Sequence, residues 1–182
     1  MFRNQERRSL SQPETHDSEL PISPCYHSAV ISTVILASVM AAAVASLLRA
    51  VRVGDRTLEI ISKTTASAVF VMLGLDRWSP GDAVGTWLIA ALVLCAAGDL
   101  CLLWDRSFDL GLISFLLGHL AYVIGFGVAL PWTAATGAIL FYLSDLAVAR
   151  HRFVHESFVN RAIGLPTYYL GQLLLALTIG AR

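Results

Sequence analysis

The sequence predicts an all-α membrane protein, a polytopic transmembrane helix bundle of about six spans. Its composition is 56% hydrophobic and only 14% charged, with a mean hydropathy of +0.66, which is too apolar for a water-soluble domain. The apolar residues fall into successive runs, each about long enough to cross ~30 Å of hydrocarbon as a helix. Several runs contain an ionisable residue, and such residues usually face the interior of a bundle and have partners.

The leading segment, residues 1–27, is polar, contains Pro and Ser, and has no apolar core. We expect it to be disordered or loosely attached. It is not predicted to be a signal peptide, because the run that follows, 28–48, is too long and too rich in Ala, Val and Ile for a cleaved segment. That run contains no polar residues except Ser and Thr, so we place it at the bundle edge. Residues 28–182 then form one transmembrane domain.

The second and third runs, 58–75 and 82–104, contain Lys63 and Asp99 respectively. Lysine is rare at bilayer depth and has two interpretations here. Lys63 lies close to the start of its helix, so its ammonium could extend to the membrane interface. Alternatively, it forms an ion pair with Asp99.

The fourth run, 109–130, follows a tight turn and contains His119. Three-and-four spacing aligns glycines, aromatic residues and this histidine along one side of the helix. The residues on that side are Gly111, Phe115, Gly118, His119, Tyr122 and Phe126. A face of this composition is predicted to point into the bundle.

The fifth run, 132–149, contains Ser144 and Asp145, and the sixth, 163–181, has Tyr168, Tyr169 and Gln172 on one face. Counting ~1.5 Å per residue from the helix ends places the polar residues of the alternating helices in one half of the membrane or at its middle. We therefore expect them to converge on one cavity. The alternative is that each makes a separate interhelical hydrogen bond, which is common in membrane bundles.

The connecting loops on one side of the predicted bundle are basic. Loops 49–57, 105–108 and 150–162 contain Arg49, Arg52, Arg56, Arg106, Arg150, Arg152 and Arg161. The positive-inside rule places this side in the cytoplasm and both termini on the other side.

Other functional classes are less well supported. A net charge of zero argues against nucleic-acid binding, and the three cysteines have neither disulfide nor metal-ligand spacing. His151 and His155 could ligate a metal if helical, but they lie in a polar loop, where a solvated histidine is ordinary, so no metal site is predicted. Two carboxyl groups in one apolar site, Asp99 and Asp145, could act as general acid and general base.

The sequence resembles the YhhN family of membrane proteins, the lysoplasmalogenases, in four places that occur in the family's order. These are Lys63-Thr64; Gly98-Asp99-Leu100 with Phe108, Gly111, Phe115, His119 and Tyr122; Gly137-Ala138 with Phe141 and Ser144-Asp145; and Tyr168-Tyr169 with Gln172. The resemblance covers about residues 58–180. It implies hydrolysis of the vinyl-ether bond of a lysoplasmalogen, a lysophospholipid, to a fatty aldehyde and a glycerophospho-base, without a cofactor.

The resemblance also implies site roles. Asp99 and Asp145 would supply acid and base in an unassigned order, with Lys63, His119 and Tyr122 positioning substrate or water. Three more positioning groups, Ser144, the Tyr168-Tyr169 pair and Gln172, complete the expected site. A single-chain lipid could enter from the bilayer, with its head group meeting the cytoplasmic arginines.

Two departures from the family pattern stand out. Thr64 replaces the proline that usually follows the lysine. The segment between Tyr122 and Gly137 is so short that about two of the family's roughly eight spans are missing. The fourth and fifth helices, joined across Pro131, are then expected to pack as antiparallel neighbours with His119 close to Asp145.

Two other functions remain open at this level. A shortened, inactive lipid-binding relative would retain the same motifs. A proton-coupled carrier would also place Asp, His and Lys at mid-membrane, although the sequence lacks matching pairs of broken helices. If the absent spans formed a wall of the site, a homodimer could cover the gap.

Overall fold

The computed structural model describes residues 24–127 and 131–180, and these ranges are helical throughout apart from short connections. In chain order the helices are α1 Pro24–Val53, α2 Arg56–Arg77, α3 Ala83–Cys101, α4 Phe108–Phe126, α5 Trp132–Phe153 and α6 Phe158–Leu177. A single 3-10 turn, Asp105–Ser107, precedes α4. The all-α prediction is confirmed.

Five of these helices, α1 to α5, are long and apolar enough to cross a membrane. The sixth helix is less apolar because it contains Asn160, Arg161 and Gln172 together with two tyrosines. Its polar side chains are nevertheless mostly directed inward, with Tyr168, Tyr169 and Gln172 buried. Length and hydropathy therefore identify α1 to α5, whereas α6 is recognised as part of the bundle by its packing.

Some predicted boundaries shift. The first helix begins at Pro24, so residues 24–27 are helical and not part of a disordered tail; the rest of that predicted tail, residues 1–23, lies outside the described residues. The sixth helix begins at Phe158, five residues earlier than expected, because the Ser157 Oγ accepts a hydrogen bond from the Val159 backbone N–H at 3.2 Å and caps the helix.

Helices that follow one another along the chain form three packed pairs: α1 with α2, α3 with α4, and α5 with α6. The sixth helix also contacts α1, α2 and α3, so it lies at the centre of the bundle. The first helix contacts only α2 and α6 extensively and exposes Val30, Val34 and Ile35 near its start. Its predicted position at the bundle edge is confirmed.

Glycines allow the closest helix contacts. In the α5–α6 pair, a Cβ atom built on Gly171 would lie 2.9 Å from the Gly137 carbonyl oxygen. In the α3–α4 pair, a Cβ on Gly98 would lie 3.1 Å from the Gly111 carbonyl oxygen. Small residues let membrane helices approach to backbone contact, so these two pairs are fixed tightly.

The fourth and fifth helices do not form such a pair, and the prediction that they pack directly as neighbours is wrong. Their backbones have little contact, and large side chains fill the space between them. The rings of Phe115 on α4 and Phe141 on α5 lie 6.1 Å apart, centroid to centroid. The glycine faces of α4 and α5 are already occupied by α3 and α6, so aromatic faces meet across the remaining gap.

Candidate active site

A cavity of about 880 Å³ lies at the end of the bundle that carries the basic loops. Helices α2 to α6 and the turn before α4 all contribute to its wall. The predicted site residues that line it are Lys63, Asp99, His119, Ser144, Asp145 and Tyr168. Cavities of several hundred Å³ bind small ligands, so this one has room for part of a lipid molecule.

Asp99, near the end of α3, accepts three polar contacts. Lys63 Nζ lies 3.4 Å from Asp99 Oδ1, and the hydroxyls of Ser67 and Tyr168 donate to Oδ2 at 2.6 and 2.9 Å. The Asp99 residue is only 3% exposed. A buried carboxylate requires partners of this kind to offset the loss of water, and here they come from two different helices.

This arrangement decides between the two interpretations of Lys63. The residue is 8% exposed, and its ammonium is directed into the bundle at Asp99. The ion-pair interpretation is confirmed, and extension of the side chain to the interface is excluded.

Ser67 is a site residue that the sequence analysis missed. It lies one helical turn after Lys63 on α2, so both side chains share one face and reach the same carboxyl group. The four-residue spacing between Lys63 and this hydroxyl, inside an apolar run, could have identified Ser67 as a second polar residue on the same face.

His119 and Asp145 form a second polar pair, between α4 and α5. His119 Nε2 lies 3.4 Å from Asp145 Oδ2, so the expected proximity of these residues is confirmed. His119 Nδ1 lies 2.8 Å from the Phe115 carbonyl oxygen. A carbonyl can only accept, so Nδ1 carries a hydrogen and a neutral ring presents Nε2 as an acceptor. A neutral Nε2 and an ionised carboxylate are both acceptors and would repel each other. A hydrogen bond between them therefore requires a proton on one of the two groups.

The two carboxyl groups lie in different surroundings. The Asp99 side chain is 4% exposed, whereas the side chains of His119 and Asp145 are 39% and 43% exposed. The His119 ring stacks on Phe141 with centroids 4.3 Å apart, which fixes its orientation. The cavity therefore has an enclosed part at Asp99 and an open part at His119 and Asp145.

Three predicted site residues do not line the cavity, so the expected convergence of all of them on one space is wrong. The Tyr122 hydroxyl donates to Gln172 Oε1 at 2.7 Å, and both residues are buried. Tyr169 is buried behind Asp99, with its hydroxyl 3.4 Å from Ser67 Oγ. The Phe141 ring contacts Tyr122 on one side and Tyr168 on the other. Bulky rings thus separate these groups from the cavity.

In the described part of the chain, no three His, Cys, Asp or Glu side chains come together in a group that could hold a metal ion. His151 is engaged through Nδ1, which accepts a hydrogen bond from the Ser157 backbone N–H at 3.2 Å. This hydrogen bond joins the end of α5 to the residue before α6 and so stabilises the loop between the two helices.

Comparison with known proteins identifies related sequences. The model of the YhhN family matches residues 58–132 and 128–179. Lysoplasmalogenase TMEM86B of Mus musculus is 27% identical over 150 residues, covering 55% of this chain and 66% of the relative. Lysoplasmalogenase TMEM86A of Bos taurus is 31% identical over 106 residues, covering 50% of this chain and 44% of the relative. No solved structure matches.

Three features of these matches agree with the expected shortening of the chain. The chain spans less than two thirds of the length of the mouse and bovine relatives. The alignment with the mouse protein extends over 150 residues but takes in only 55% of the 182 residues here, so it contains long gaps in this chain. The two segments that match the family model meet at residues 128–132, between α4 and α5.

Proposed function

The chain belongs to the YhhN family, and from this premise we propose that it is a membrane hydrolase that cleaves the vinyl-ether bond of lysoplasmalogens. The products are a fatty aldehyde and a glycerophospho-base. One observation carries the proposal: Asp99 and Asp145, the acidic residues of the family-like motifs, both line a single cavity together with His119 and Lys63. The curated relatives named lysoplasmalogenase support the choice of substrate.

The reaction needs an acid, an anion and a water molecule. Protonation of the vinyl carbon farther from the ether oxygen produces an oxocarbenium ion. Water then attacks the carbon bonded to oxygen and gives up a proton, which forms a hemiacetal. The hemiacetal hydroxyl then gives up its proton as the bond to the glycerol oxygen breaks, the glycerol oxygen takes up a proton, and the aldehyde is released. Positioned acids and bases and a fixed negative charge accelerate such steps.

We assign Asp99 to the stabilisation of the oxocarbenium ion. Its oxygens accept from Lys63, Ser67 and Tyr168, contacts that stabilise the ionised form of the group. A preorganised anion in an apolar site stabilises a developing positive charge strongly. Lys63, Ser67 and Tyr168 act as positioning residues for this carboxylate.

We assign proton transfer to the His119–Asp145 pair. His119 Nε2 and Asp145 Oδ2 lie 3.4 Å apart in the open part of the cavity, close enough to share one proton. The pair can donate that proton to the vinyl ether, and the resulting base can then accept a proton from the attacking water. Ser144, which is buried beside Asp145 and lines the cavity, is placed to orient water. The Tyr122–Gln172 hydrogen bond and Tyr169 support the wall.

The test is release of fatty aldehyde from a lysoplasmalogen by the purified protein in detergent. Asp99→Asn and Asp145→Asn should each lower turnover by ~100-fold or more, because a positioned acid or base contributes that much. The double variant should lose little more than either single one, since both groups serve one reaction.

Asp109→Asn is the matched control, because Asp109 lies in the first turn of α4 and does not line the cavity. It should keep near-full activity. Circular dichroism and elution volume show whether each variant is folded. Absence of aldehyde from the folded wild-type protein would reject the hydrolase and favour an inactive lipid-binding relative.

A further inference from the structure

Ser67 differs from other hydroxyl residues inside the helices of this protein. A serine or threonine in a helix commonly donates its hydroxyl hydrogen to the carbonyl four residues earlier. Three do so here at 2.8–2.9 Å: Ser38, Thr136 and Thr167. Ser67 instead donates to Asp99 Oδ2 on α3, at 2.6 Å. Its hydroxyl hydrogen therefore does not use the Lys63 carbonyl, which lies four residues before it.

The hydroxyl of Tyr169, on α6, lies beside that carbonyl. It is 3.5 Å from the Lys63 carbonyl oxygen and 3.4 Å from Ser67 Oγ. A carbonyl can only accept, and the single hydroxyl hydrogen of Ser67 is given to Asp99, so the phenol is the donor in both contacts. One hydrogen shared between two oxygens gives longer contacts than a single hydrogen bond.

Tyr169 is held rigidly and away from water. The residue is 1% exposed and Ser67 is 2% exposed, so water does not compete for these hydrogen bonds. The Tyr169 ring packs against the rings of Tyr168 and Phe70, with centroids 4.8 and 6.3 Å away. Tyr169 does not line the cavity. An effect of its hydroxyl on a reaction in the cavity must therefore pass through a neighbouring side chain.

We propose that Tyr169 is a positioning residue whose hydroxyl keeps the Ser67 hydroxyl from turning back to its own helix and directs it to Asp99. The proposal rests on the proposed function, because Asp99 is the carboxylate that we assign to the oxocarbenium ion. Without the phenol, the Ser67 hydroxyl is expected to rotate to the Lys63 carbonyl, as in the three helical hydroxyls above. Asp99 would then lose its closest donor.

Tyr169→Phe tests the proposal because it keeps the ring and removes only the hydroxyl. In release of aldehyde from a lysoplasmalogen by the purified full-length protein, kcat should fall about tenfold, as expected for loss of one hydrogen bond to a charged group. KM should be unchanged, since Tyr169 does not contact the substrate. The binding sites are counted by calorimetric titration with a saturated 1-O-alkyl lysophosphoethanolamine, which has no vinyl-ether bond. Unfolding lowers the number of sites but not kcat per site.

Ser67→Ala should lower kcat per site by the same factor as Tyr169→Phe. The double variant should lose no more than either single one, because Tyr169 acts only through Ser67. A further tenfold fall in the double variant would mean that Tyr169 acts on Asp99 independently of Ser67 and would overturn the proposal. Normal kcat per site in either single variant would also overturn it.

Ser62→Ala and Tyr142→Phe are the matched controls. Ser62 is buried on the same helix but lies five residues before Ser67, so its side chain is on another side of α2. Tyr142 is exposed on α5. Both controls should keep the wild-type kcat per site.

Thermal unfolding of the same four proteins (wild type, both single variants and the double variant) separates this proposal from the hydrolase. Together, Tyr169→Phe and Ser67→Ala should destabilise the protein by less than the sum of their separate effects, because they remove a shared contact. Coupled unfolding without aldehyde release from the wild type would reject the hydrolase while confirming that Tyr169 holds Ser67. Aldehyde release with additive effects on both unfolding and kcat would reject only the role of Tyr169.

Discussion

The Lys63–Asp99 ion pair is almost fully buried, so water screens it little. Removing one partner from a buried pair leaves an uncompensated charge and costs about 3–5 kcal/mol, whereas replacing both partners with apolar residues is often neutral or stabilising. Comparing the single and double replacements therefore distinguishes a structural role of the ion pair from a catalytic one. The same asymmetry also explains why loss of activity in Asp99→Asn alone must be accompanied by a measurement of folding.

Lys63→Met should destabilise the protein by roughly 3–5 kcal/mol, and Lys63→Met/Asp99→Leu should recover most of that loss. Thermal unfolding in detergent measures both. The double variant should remain inactive in aldehyde release, because the anion that stabilises the oxocarbenium ion is absent. Recovery of activity together with stability would show that the pair is only structural.

The Tyr122–Gln172 hydrogen bond is a second test at the residue scale. Tyr122→Phe leaves Gln172 Oε1 buried without its donor, so the free energy of unfolding should fall by about 1–3 kcal/mol. Turnover of the folded variant should change less than about threefold, because neither residue lines the cavity. Tyr142→Phe, at an exposed position on α5, is the control. A large fall in turnover with unchanged stability would show that Tyr122 takes part in the reaction.

At the scale of single helices, the α5–α6 pair depends on contact between two glycines. Gly171→Ala would place a methyl group 2.9 Å from the Gly137 carbonyl oxygen, and backbone cannot yield as a flexible side chain can. We expect a loss of about 1–3 kcal/mol in unfolding experiments. Gly164→Ala, whose added methyl would meet the Ala147 methyl at 3.1 Å, should cost less. Equal effects would mean that this contact does not determine the packing.

The gap between α4 and α5 is the route by which we expect the lipid chain to enter the cavity. Leu116 on α4 and Val148 on α5 both line the cavity. In a background without native cysteines, Leu116→Cys/Val148→Cys joined by a short bis-maleimide should release aldehyde far more slowly than the unlinked protein. Each single cysteine variant treated with the same reagent is the control. Unchanged release after complete linkage would exclude this route.

For the whole molecule, the arginine-rich loops suggest one orientation in the membrane. A cysteine introduced at Val154, in the loop after α5, should resist an impermeant thiol reagent applied to intact cells. One introduced at Ser9, in the leading segment, should react. Labelling of both after the cells are permeabilised controls for accessibility. The opposite pattern in intact cells would place the cavity mouth on the non-cytoplasmic side.

The exposure of polar groups at the open part of the cavity bears on whether two copies of the chain associate. Polar groups at the open part of the cavity, His119 and Asp145, would contact lipid tails in a monomer, and exposure of polar groups to hydrocarbon is costly. A homodimer that covers the α4–α5 gap would avoid that cost, but it would also close the lipid route proposed above, so the two proposals exclude each other.

The sequence by itself determined the helical membrane class, the approximate position of each helix and the inward direction of Asp99 and His119. These follow from local properties: apolar length, three-and-four spacing and the cost of charge in hydrocarbon. It also carried the family motifs that relate Asp99, His119 and Asp145 to one another.

Only the tertiary structure decided which helices touch and which polar residues share a space. Local spacing gives the face on which a side chain lies, but the partner of that face depends on how all helices compete for contact. The glycine faces of α4 and α5 are taken by α3 and α6, so these two helices have little backbone contact with each other, and both line the cavity together with α2, α3 and α6. Aromatic rings of α4, α5 and α6 then separate Gln172 and Tyr122 from Asp99, a division that no single helix encodes.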